Sequence, residues 1–172
     1  KNYEDSSKIN LLFDHNTSYI GIWDSFGSIK YGPRDLNRLI KEDTATWKSE
    51  FNARAITVDE IAKITNNSNF SSTSSGENSW FYFEPNNQSL PSMSQGSATY
   101  GWLFDRTTVC VDYGCENDSN DTYGYWTVST VYGRTDSAWA VARTGTITVH
   151  KVDSGSPYGI RPVITVDKNL IK

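Results

Sequence analysis

Reactive side chains are scarce in this chain of 172 residues, which has two cysteines, two histidines and one methionine. Neither cysteine has a histidine nearby, so a closed Cys/His zinc site is excluded. No apolar run approaches the ~18 residues that a helix needs to cross a bilayer. Lys and Arg are scattered without a basic stripe and the net charge is −4, which argues against nucleic acid as a partner. There is no signal peptide, and the chain opens on Lys1 without Met. It therefore reads as a fragment or mature form whose export signal or membrane anchor has been removed. Repeats and linkers are absent too, so residues 1–172 are expected to form a single domain with one sizeable core.

Aromatics are plentiful. Six Trp and ten Tyr are too many for a disordered chain, and such rings serve irregular cores and binding faces alike. Small polar residues dominate the rest, a texture typical of loop-rich extracellular domains. Cys110 and Cys115, five residues apart, are expected to staple a loop in an oxidising compartment, with two free thiols as the alternative.

The pattern along the chain predicts strands over 8–13 and 18–23, joined by a turn at Asp14-His-Asn-Thr. Pro33 suits the first turn of a helix, and Leu36, Leu39, Ile40 and Trp47 continue it at helical spacing to about residue 48. Thr57-Val-Asp-Glu60 is a capping box, so a second helix is expected over about 58–65. Residues 66–79 and 84–99 read as loops around a short aromatic strand, Trp80-Phe-Tyr-Phe83. Further strands are expected at Tyr125–Ser129, Ala138–Arg143, Thr146–His150 and Arg161–Val166, with Gly145 at a hairpin position. Strands, two helices, then short antiparallel strands make an α+β pattern.

Three segments carry a resemblance: Tyr123-Gly-Tyr-Trp-Thr, Ala138-Trp-Ala-Val with Gly145 beyond it, and Tyr158-Gly-Ile-Arg-Pro-Val-Ile. In this order they resemble a family of Gram-positive bacterial surface domains that ends in Tyr-Gly-Val/Ile-Arg-Pro-Val. Arg54-Ala-Ile-Thr-Val-Asp-Glu-Ile-Ala, the Trp80 strand and Gly101-Trp-Leu-Phe-Asp-Arg also fit, so the resemblance covers most of the chain. It is most specific over 138–172. It implies a C-type-lectin-like fold of the formylglycine-generating-enzyme and phage-receptor type: two helices with a small twisted antiparallel sheet and long loops, supporting a variable ligand face. Members often follow a prepilin-like helix, which would account for a missing N-terminal anchor. Some relatives of the fold carry binding faces diversified by retroelements, an idea the resemblance permits.

Within the closing motif, Gly159 is expected to allow a tight approach or a positive φ. Arg161 is expected to act structurally, its planar fork bonding several carbonyls, and Pro162 to sit on an edge strand. Trp126 and Trp139, on strands, are read as core.

Catalysis finds little support. His15 lies in a turn and reads as solvated. The cysteine pair lacks the setting of a formylglycine-generating enzyme. The acidic run Asp112 to Asp121 offers oxygen ligands but no EF-hand spacing. Glu84-Pro-Asn matches half of a sugar-binding lectin signature, and the Trp-Asn-Asp half is missing. The connections between the C-terminal strands are the place where loops on a rigid sheet usually bind. Val131, Tyr132, Arg134, Asp136, Arg143, His150, Lys151, Asp153 and Ser156 fall there, with ordinary surface as the competing reading. The expectation is an extracellular recognition or adhesion module, not an enzyme. It would bind a protein or glycan through residues 128–157, without metal or cofactor. The alternatives are a pilin-like filament subunit and, less favoured, a formylglycine-generating-type enzyme with free cysteines.

Overall fold

The computed structural model describes residues 4–5, 7–17, 21–48, 51–75, 80–82, 100–104, 122–155 and 158–171. The strands are β1 (Glu4–Asp5), β2 (Lys8–Leu12), β3 (Ala53–Ala55), β4 (Trp80–Tyr82), β5 (Gly124–Thr130), β6 (Ser137–Ala142), β7 (Thr146–Lys151), β8 (Tyr158–Gly159) and β9 (Pro162–Asp167). The helices are α1 (Arg34–Asp43), α2 (Val58–Thr65) and the single turn α3 (Gly101–Phe104). The α+β class therefore holds, but the small antiparallel sheet becomes two sheets. One has four strands in the order β1-β2-β9-β3, and the other has five in the order β4-β7-β6-β5-β8. The second is mixed, because β8 pairs parallel to β5.

Burial follows from alternation along β6. Trp139 and Val141 join one apolar cluster with Val58 and Ile61 of α2. Ala138 and Ala140 join the other with Leu36 and Ile40 of α1. Since successive side chains on a strand point to opposite faces, the two helices cover opposite faces of the five-stranded sheet. The central strand thus has every residue buried.

The capping box closes as expected. Thr57 Oγ1 accepts from the Glu60 N–H at 3.1 Å, and the Thr57 N–H donates to the Glu60 carboxylate at 2.7 Å. The same carboxylate pairs with half-buried Arg54. Helix α1 stops at Asp43, short of the expected end, and its C-cap Thr44 also bonds the Ile40 carbonyl through Oγ1 at 2.7 Å. Trp47 instead packs its ring 5.1 Å from that of Phe13.

The strand expected over 18–23 is not formed at 21–23, and 18–20 lie outside the described residues. The backbone there bonds to several partners instead of one ladder: Thr17 to Ile160, Gly21 to Tyr158 and Asp24 to Val152. Pro162 is not on an edge, since β9 lies between β2 and β3; it is the first residue of its strand, where a missing N–H is tolerated. Positive φ falls at Gly145, in the β6–β7 turn as expected, and not at Gly159. Gly124 is the tightest approach, because a Cβ there would lie 1.7 Å from the Val141 carbonyl oxygen.

Candidate functional site

Antiparallel pairing sorts the C-terminal connections by end. Ser137 lies opposite Lys151 and Ala142 opposite Thr146. Connections 131–136 and 152–155 therefore share one end of the five-stranded sheet, and the 143–145 turn occupies the other. Backbone bonds brace the shared end: Val131 N–H to the Ser137 carbonyl at 3.1 Å, and Val152 N–H to the Asp136 carbonyl at 2.9 Å.

A pocket of about 380 Å³ opens at this end. Arg134, His150, Lys151 and Asp153 line it, with Ser137, Val149 and Ser154 completing the wall. Tyr132, in the same connection as Arg134, is 64% exposed. Asp136 stands 3.9 Å from Lys151 and accepts the Ser137 hydroxyl at 2.8 Å. Most of the expected ligand set is thereby brought together, with two exceptions among the described residues: Val131, buried in the apolar cluster with Val58 and Ile61 of α2 and so closed to a ligand, and Arg143. Arg143 belongs to the opposite end, five strand steps or roughly 17 Å along the sheet. There its N–H bonds the Tyr123 carbonyl at 2.8 Å and its guanidinium lies 5.5 Å from the Tyr123 ring. It cannot share a ligand with Tyr132 unless the ligand spans the sheet.

His150 is the chemically distinctive group of the wall. Its Nε2 lies 2.6 Å from the Tyr158 hydroxyl, and its ring stands edge-on to Trp126 at 6.3 Å. Burial lowers the His150 pKa and raises that of Tyr158. Both groups are therefore held in their neutral forms, and the tautomer of the ring decides which of them donates.

A second set of residues at this end was not singled out from sequence. The segment 24–34 bonds to both pocket connections, Ile29 N–H to the Thr135 carbonyl and Asp24 N–H to the Val152 carbonyl, each at 3.0 Å. A Cβ on Gly27 would lie 3.1 Å from the Asp153 carboxylate, so the segment rests on the pocket wall. Arg34 donates twice to Asp24, through Nε and Nη2, both at 2.8 Å. These bonds hold the Asp24 pKa below the ordinary carboxylate value against the opposing effect of burial. The guanidinium lies 4.1 Å from the Phe26 ring centroid and 5.7 Å from that of Tyr31. The available sequence signal is two aromatics, Phe26-Gly27 and Tyr31-Gly32, each before a glycine in a stretch without periodicity.

Other candidate residues lie elsewhere. Arg161 is 2% exposed. It donates to the carbonyls of Phe13 (2.8 Å), Asp14 (2.9 Å), Trp102 (2.9 Å) and Leu103 (3.0 Å). Trp126 and Trp139 are fully buried in the two clusters. His15 pairs with Asp14 at 3.0 Å and takes no part in the pocket wall. Cys110, Cys115, Ser156, Glu84-Pro-Asn and the acidic run 112–121 lie outside the described residues. Among the described residues no group of three or more His, Cys, Asp or Glu side chains could hold a metal ion, and no helix is long and apolar enough to cross a membrane. Comparison with protein-family models, with curated proteins and with solved structures finds no match.

Proposed function

We propose that this chain is a C-type-lectin-like recognition domain of a bacterial cell surface. In this reading it holds a protein or glycan ligand at the sheet end built by connections 131–136 and 151–155, and it performs no catalysis. The observation that carries the reading is the pocket walled by Arg134, His150, Lys151 and Asp153 beside exposed Tyr132. Tyr and Arg are favoured at binding hot spots because they combine contact area with directed hydrogen bonds. His150 and Lys151 stand on the end of β7 and the two connections are braced by backbone bonds, so the ordering entropy lost when a ligand docks is reduced. Helices on opposite faces of a short-stranded sheet support the lectin-like assignment.

The test is a screen of the soluble domain against glycan and protein arrays, followed by alanine at Tyr132 and Arg134. Each substitution should weaken binding by about 1–2 kcal/mol, roughly five- to thirtyfold, with the melting temperature unchanged. Normal binding by both variants, with loss on substitution in the 66–75 loop, would place the face elsewhere.

A further inference from the structure

Phe26 and Tyr31 are 77% and 67% exposed, yet neither ring is unsupported. Arg34 lies against Phe26 and Tyr31, and two hydrogen bonds fix it to an Asp24 carboxylate that is itself 0% exposed. A pinned guanidinium keeps the aromatic surface in one arrangement, so a ligand that stacks on it orders little. The segment that carries the rings adjoins the pocket, because Ile29 and Asp24 bond the two pocket connections and Gly27 rests on Asp153.

We propose that this rim is a stacking platform and that, together with the pocket, it binds an uncharged saccharide chain; the inference rests on the recognition reading above. Three observations select the ligand class. The C–H face of a pyranose ring matches a flat, exposed aromatic, while its hydroxyls need donors and acceptors close by. The pocket supplies them, with donors on Arg134 and Lys151 and an acceptor on Asp153. An apolar side chain of a protein partner inserted there would strip water from Lys151 and Asp153 without replacing its hydrogen bonds, which is unfavourable. Finally, Arg34 is neutralised by Asp24, Lys151 stands 3.9 Å from Asp136, and Lys30, whose ammonium lies 5.1 Å from the Tyr31 ring, is offset in net charge by Asp153 of the pocket wall. The face thus offers a polyanion no strong field of one sign.

The experiment is affinity electrophoresis of the chain through gels holding xylan, galactomannan, mixed-linkage β-glucan or dextran. Polygalacturonate serves as the charged comparison and collagen as the protein probe, bound in a plate assay. At least one neutral polysaccharide should retard the chain. Phe26→Ala and Tyr31→Ala should each weaken that retardation about tenfold or more while melting within about 2 °C of the parent. Retention by none of the neutral polysaccharides, retention by polygalacturonate alone, or unchanged retardation of both variants overturns the inference. Collagen bound through Tyr132 and Arg134 without saccharide binding removes the saccharide and leaves the recognition reading standing. Saccharide binding lost in the Phe26 and Tyr31 variants but intact in Arg134→Ala keeps the platform and removes the pocket reading.

Discussion

Replacing Arg161 by alanine tests a side chain that bonds four backbone carbonyls. Its guanidinium joins three parts of the chain: the carbonyls of Phe13 and Asp14 after β2, those of Trp102 and Leu103 in α3, and its own position just before β9. It also lies 5.3 Å from the Tyr125 ring. Charge-assisted hydrogen bonds contribute about 1.5–3 kcal/mol each, but the four are not equal. Asp14 is exposed and Phe13 half-buried, so water reaches their carbonyls once the guanidinium is gone. The Leu103 carbonyl keeps the Tyr125 hydroxyl at 2.7 Å, and the Trp102 carbonyl carries the heavier loss. Discounting the two loop carbonyls, Arg161→Ala should cost about 3–5 kcal/mol. For a chain of 172 residues, each kcal/mol moves the melting temperature by about 2–4 °C, so calorimetry should show a fall of about 6–20 °C. Arg161→Lys retains the charge but concentrates its donors on one nitrogen, which cannot span four carbonyls; it should recover less than half of the fall. A melting temperature within about 2 °C of the parent for the alanine variant, or full recovery by lysine, refutes the clamp.

Gly124→Ala should destabilise by more than about 1 kcal/mol in urea titration, since the new methyl would meet the Val141 backbone; an unchanged midpoint means that β5 and β6 separate easily. Thr57→Ala removes the Oγ1 acceptor of the α2 cap and should cost about 1 kcal/mol, read by the same titration. Burial holds the His150 pKa below its ordinary 6.5, so the unfolded chain takes up the proton first as pH falls. The stability this ring contributes is fully present above 6.5 and is lost as the pH falls from there toward the folded-state value. Melting curves between about pH 7.5 and about pH 5 should fall more steeply for the parent than for His150→Gln, and parallel curves overturn the assignment.

Features set by neighbours in sequence were legible before the structure. The capping box of α2 needs only Thr57 and Glu60, three residues apart, and apolar β6 and β7 announce themselves around Gly145. What escaped was set by distant partners. Strand β3 is three residues long and exists because β9 holds it, and β8 is a two-residue parallel pairing. Neither has room for a period. The division into two sheets depends on β2 meeting β9 across nearly the whole chain. The pocket was partly legible for a similar reason: Arg134, His150, Lys151 and Asp153 flank strand ends, where loops on a sheet converge. Arg143 has the same local surroundings, and only the strand direction sends it to the other end. The Phe26–Tyr31 platform was hidden because its organiser is Asp24, a buried carboxylate ten residues from Arg34 and outside any helical or strand period.

The pairing of β2 with β9 has a mechanical consequence. Lys8 faces Asp167 at one end of the ladder and Leu12 faces Val163 at the other. Tension applied between residues 7 and 168 therefore pulls the two strands apart at their open end. The rungs break in succession, beginning with the Lys168 N–H to the Ser7 carbonyl and then Lys8–Asp167, whereas a shearing load would strain them all together. Such peeling needs little force, but it travels only as far as Val163 before it meets Pro162 and the four-carbonyl grip of Arg161. A stretched domain would surrender the β2–β9 ladder early and stop there. The five-stranded sheet, with the pocket at its end, would remain intact under a load that had already lengthened the chain.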